Sequence, residues 1–161
     1  MSRLCTFIVL FLVCSAPCVA GEAENIQLAE SMVDAINDRS LDRLDHLMSP
    51  SVVRHSAATA GVVVTNLTEF KAFLESDFSA VPDSVMKIDV IFGNQDFVAM
   101  RATYSGTQSG PMGPFPATGK RFDLPFVGIL KIDDARISEM WVEWDNVFAL
   151  TQLGHLNAPA E

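Results

Sequence analysis

The sequence predicts an α+β fold: a cone-shaped, curved antiparallel sheet with N-terminal helices enclosing an apolar pocket. Three observations point there. After residue 20, the first half of the chain spaces its apolar residues as helices do. The second half spaces them as strands do. Short turn sequences join the strands, as antiparallel neighbours require. A curved sheet wrapped around helices leaves room for a small ligand at its centre.

The opening stretch, MSRLCTFIVLFLVCSAPCVA, differs from the rest. Arg3 precedes an apolar run, and small residues sit at Cys18 and Ala20. This is the pattern of an export signal cleaved after Ala20, leaving one domain over residues 21–161. The run is too short to cross a hydrocarbon layer of roughly 30 Å, so no stable membrane anchor is expected after cleavage. All three cysteines, Cys5, Cys14 and Cys18, lie in this segment, so the mature domain has no thiol and no disulfide. The whole chain carries a net charge of −9, which becomes −10 once Arg3 is removed. Such acidity excludes a nucleic-acid partner, which needs clustered Lys and Arg.

Ile26, Ala29, Met32, Val33 and Ile36 form one helical stripe, with acids in the first turn. SLDRLDHLM repeats the pattern through Leu41, Leu44, Leu47 and Met48, with Ser40 as cap and Pro50 as stop. SVVRHSA is short and β-leaning. NLTEFKAFLESDF reads as a helix capped by Asn66, with Glu69 completing a capping box and Leu67, Phe70 and Leu74 inward. VMKIDVIFG alternates, putting Met86, Ile88, Val90 and Phe92 on one face. GNQD is a turn into a second strand, DFVAMRATYSGT. QSGPMGPFPATGK reads as a rim loop. RFDLPFVGILKI and RISEMWVEWD are two more strands joined by a hairpin at DDAR. NVFALTQLG closes the domain as a short helix, and HLNAPAE should fray.

The chemistry-bearing residues are few. The Gly- and Pro-rich loop matches no nucleotide-binding spacing. His46, His55 and His155 are scattered, and no metal is implied. No nucleophile elbow is present. Asp145 and His55 remain. Asp145 follows two tryptophans. A carboxylate beside apolar rings loses hydration and becomes a better base near neutral pH. It is equally placed to cap the last helix. His55 can bind a ligand oxygen or satisfy itself within the fold.

The order of segments resembles the SnoaL-like polyketide cyclase, or ester cyclase, family of the nuclear-transport-factor-2-like superfamily. SLDRLDHLMSPSVVRHSA, the run from VPDSVMKIDVIFG to PATGKRF, and RISEMWVEWDNVFALTQLG are similar to its segments in order, from about Ile26 to Gly154. The resemblance implies a cone with an apolar pocket and no cofactor. It implies that an aspartate at the position of Asp145 takes a proton from carbon and returns one to oxygen, with His55 at the family's strand-end histidine. The chain departs from the pattern at Gln108 and Met140, where histidines are common, and at Ala135, where the hairpin has glycine. Glutamine hydrogen-bonds but does not transfer protons at neutral pH.

Two functions follow as expectations. One is an enzyme with Asp145 and His55 as catalytic residues, Trp141 as pocket wall and Gln108 orienting an oxygen. Arg101 pairs with Glu143 in this reading, and Tyr104 and Phe126 line the pocket. The other is an exported, non-catalytic binding protein for a small hydrophobic ligand. An exposed sheet face makes a homodimer a further expectation.

Overall fold

The computed structural model describes residues 21–59 and 61–157. The expected export signal lies outside them. Helix α1 (Glu22–Asn37) opens the domain. A 3-10 turn (Leu41–Arg43) and a single turn α2 (Leu44–Leu47) lead into β1 (Met48–His55). Then come α3 (Leu67–Ala80), β2 (Val85–Gly93), β3 (Phe97–Thr107), β4 (Arg121–Asp133), β5 (Arg136–Trp144) and α4 (Asn146–Leu153).

The five strands form one sheet in the order β1-β5-β4-β3-β2. Four of them are antiparallel neighbours, as expected, but β1 runs parallel to β5. The sheet is therefore mixed. The parallel edge is possible because β1 and β5 are far apart in sequence and joined through the rest of the fold, not by a hairpin. Helices α1 and α3 fill the concave side. Ala29, Met32, Val33 and Ile36 of α1 meet Phe70 and Leu74 of α3 and the inward residues Met100, Leu130 and Met140 of the sheet.

Several local expectations hold for the reasons given. The Asn66 side chain accepts from the Glu69 N–H at 2.9 Å, and the Glu69 carboxylate accepts from the Thr65 N–H at 2.7 Å. Asn94 folds the β2–β3 turn by accepting from Asp96 and Phe97. Gly154 ends α4 with φ of 78°. The β4–β5 turn puts Asp134 and Ala135 at φ of 48° and 55°, the primed geometry that a two-residue hairpin requires.

Others are corrected. Ser40 makes no side-chain cap. The helix expected over residues 41–48 is only a turn and a half, and Pro50 sits inside β1. It is tolerated there because β1 is an edge strand with an irregular register between Met48 and Val53. A bulge at Asp89 reverses the alternation of β2, so Met86, Ile88 and Ile91 pack inward while Val90 and Phe92 are exposed. His155, expected to fray, donates from its backbone N–H to Leu150 O and from its ring to Gln108.

Candidate functional site

At one end the concave face turns polar. Three elements bring the groups together. The apolar stripe of α3 runs Phe70, Leu74, and one turn later Asp77. On β3 the inward positions run Val98, Met100, Ala102 and then Tyr104. On β1 they run Val52 and then Arg54, which is only 7% exposed. Each strand or helix thus keeps its inward period and exchanges an apolar residue for a polar one at the same end of the cone.

The Tyr104 hydroxyl donates to Asp77 Oδ2 at 2.6 Å. Its ring packs on Phe122, centroid to centroid 5.5 Å. The Arg54 guanidinium lies 4.6 Å over the Phe73 ring and 5.9 Å over that of Trp144. Nη1 donates to Thr59 Oγ1 at 2.8 Å. Phe126 lies on the inward face of β4, where it pairs across to Trp144 and Ala102.

Burial raises the Asp77 pKa above the ordinary carboxylate value, because an ion there loses hydration. The Tyr104 hydrogen bond and the charges of Arg39 and Arg54 pull the other way and offset only part of it. The Tyr104 phenol is pushed well up, first by burial and then by Asp77. Burial lowers the Arg54 pKa, while Glu143 and Asp77 raise it. A guanidinium stays charged in a folded protein.

Among the described residues, Arg54 forms no ion pair within 4 Å and only the one side-chain hydrogen bond to Thr59. Asp77 Oδ1 accepts none. The sealed polar atoms without a partner are Asn25 Oδ1 and Ser56 Oγ. Asp77 is only half-buried, and Arg54 keeps 7% of its surface exposed. The arrangement can accept a proton at Asp77 Oδ1 and receive negative charge at Arg54.

The residues singled out in the sequence fall in three places. Tyr104 and Phe126 are on the inward face of the sheet. His55, Trp141 and Arg101 are on the outer face. His55 stacks on Trp141 at 5.2 Å and donates to Glu139 at 2.7 Å. Arg101 does not meet Glu143. It pairs with Asp89 at 2.9 Å, and Glu143 accepts from the Ala57 and Ala58 N–H groups. The inward face of β5 is that of Ile137, Met140, Val142 and Trp144, so Trp144, not Trp141, faces the interior. Asp145 is exposed and caps α4, accepting from the Phe148 N–H at 2.9 Å. Gln108 is fully buried and holds the rim loop. It donates to Pro116 O, and its Oε1 accepts from Thr118 and His155.

Arg54, Asp77 and Trp144 were not singled out for the site. Their mark in the sequence is a charge on an apolar period. Asp77 continues the Phe70–Leu74 stripe, and Arg54 continues the Val52 alternation. Two surface clefts, of about 270 and 340 Å³, lie elsewhere and include none of the interior set.

The comparisons with known proteins agree with this architecture. The SnoaL-like polyketide cyclase family model matches residues 26–153. TsrD from Streptomyces laurentii is 30% identical, covering 83% of this chain and 97% of its own, with a TM-score of 0.73. IdmH from Streptomyces antibioticus, a proposed polyketide cyclase, is 27% identical over 81% of this chain and 98% of its own, TM-score 0.72. AclR from Streptomyces galilaeus, a proposed hydroxylase, is 26% identical over 87% of each chain, TM-score 0.74. The search of curated proteins gave no match. The matched length and the fold together establish that the chain is a member of the SnoaL-like polyketide cyclase family.

Proposed function

We propose that this SnoaL-like protein transfers protons on a small hydrophobic carbon-acid or ester-like substrate without a cofactor, using the Asp77 carboxyl as general acid/base. The observation that carries this is the contact of 2.6 Å between Tyr104 and Asp77 at the polar end of the cone. Tyr104 holds Oδ2 and fixes the carboxyl, leaving Oδ1 to take the proton. Desolvation brings the carboxyl toward the basicity that catalysis near neutral pH needs. The resemblance offers Asp145 and His55 as the competing pair.

Turnover of 5-nitrobenzisoxazole by the chain from Gly21 onward tests the choice. A base removes its ring C–H, the electron pair breaks the N–O bond, and a coloured phenolate forms. Asp77→Asn should lower turnover by about 100-fold or more, the usual contribution of a positioned base. Unchanged turnover in Asp77→Asn sinks the assignment. Loss confined to Asp145→Asn moves the chemistry to the α4 cap.

A second reading is an exported protein that binds a small hydrophobic ligand without transforming it. It is favoured by the scaffold duties of Gln108 and Asp145. It predicts equal ligand affinity in wild type and both aspartate variants, with no turnover in any. The exposed Phe92, Phe97, Val127 and Ile129 of the outer face support a homodimer. A monomer by light scattering removes that part.

A further inference from the structure

We infer that Arg54 is the anion receptor of the interior, binding a carboxylate or enolate oxygen on a ligand whose planar body lies against Phe73 and Trp144. The inference rests on the proposed site but not on its chemistry, because it concerns binding. A guanidinium carries five N–H donors and is costly to bury alone. Arg54 is 7% exposed and spends one side-chain hydrogen bond on Thr59, a neutral partner. The carboxylates whose charge reaches it make their hydrogen bonds to other groups. Glu143 is held by the N–H groups of Ala57 and Ala58. Asp77 is held by Tyr104. Neither comes within ion-pair distance of Arg54 among the described residues.

The guanidinium carbon lies 4.6 Å from the Phe73 ring centroid and 5.9 Å from that of Trp144, within reach of both π faces. A guanidinium presents paired N–H groups that match the two oxygens of a carboxylate. In a proton transfer, the C–H pair becomes the enolate π bond, the proton goes to Asp77 Oδ1, and the charge appears on the substrate oxygen. An oxygen lying toward Arg54 is stabilised there. The ligand class is therefore a small planar acid, or a carbonyl compound that becomes an anion beside this residue.

Calorimetric titration with benzoate and with benzamide, its neutral isostere, tests this directly in the wild-type chain. Benzoate should bind at least about tenfold more tightly, the scale expected for a charge-assisted hydrogen bond. The Arg54 Nε–H NMR signal should shift with benzoate. Arg54→Gln should abolish the preference, and Arg54→Lys should keep part of it. Asp77→Asn should preserve or strengthen benzoate binding while it abolishes turnover, which separates this inference from the acid/base assignment. Equal affinity for the two probes in wild type overturns it, as does no benzoate binding at about 10 mM, a limit weaker than millimolar affinity. An undiminished preference in folded Arg54→Gln also overturns it. The wild-type comparison decides even if the Gln variant fails to fold.

Discussion

Gln108→Leu separates a scaffold role from a substrate role. The Gln108 amide makes three hydrogen bonds, to Pro116 O at 3.0 Å, from Thr118 at 3.0 Å and from His155 at 2.9 Å. Each is worth about 1 kcal/mol net, since the freed partners return to water. Pro116 and Thr118 are exposed and His155 is half-buried, so rehydration is available to all three. Leucine recovers part of the loss through its greater apolar burial. The net cost is about 1–3 kcal/mol. For a domain of this size each kcal/mol shifts Tm by about 2–4 °C, so a drop of roughly 2–12 °C is expected by calorimetry. Hydrogen exchange should also quicken at the Gln108 and Gly119 amides, which bond Lys120 O and Gln108 O across the loop base. A Tm within about 1 °C of wild type, together with lost benzoate binding, would refute the clamp and make Gln108 a ligand contact.

Other expectations follow from the same geometry. Ala135→Gly should stabilise by about 0.5–1 kcal/mol, since relief of the left-handed φ outweighs the entropy of glycine; a lower denaturation midpoint would show that the turn is not strained. Asp77 binds its proton more tightly folded than unfolded. Its contribution to stability is therefore fully present below the unfolded pKa of about 3.9 and is lost as pH rises through the folded value. The stability of wild type relative to Asp77→Asn should fall across that window in urea titrations. A relative stability that rises there would reverse the sign and remove the buried-carboxyl argument. His55→Ala should leave benzoate affinity unchanged, because His55 stacks on Trp141 on the outer face; a tenfold loss would place it in the site after all.

What the sequence by itself determined is what short-range chemistry decides. Asn66 with Glu69, Asn94, Gly154 and the Asp134–Ala135 turn satisfy or shape backbone within a few residues, and each is legible from its own neighbours. Asp145 as a cap belongs to the same class. The helical stripes and the order of segments were enough for the fold and the family. Only the tertiary structure decided which face of each strand looks inward. Bulges at Asp89 and Ser138 insert one residue, and one inserted residue moves every later side chain to the opposite face. That placed Trp144 inside and Trp141 outside. The interior set depends on longer range still. Arg54, Asp77 and Tyr104 come from an edge strand, a helix and a central strand; Tyr104 bonds Asp77, and Arg54 joins the same end of the sheet only through the parallel β1–β5 pairing. Their burial, and with it their altered basicity, comes from neighbours remote in sequence, whose desolvating effect no local pattern of residues encodes.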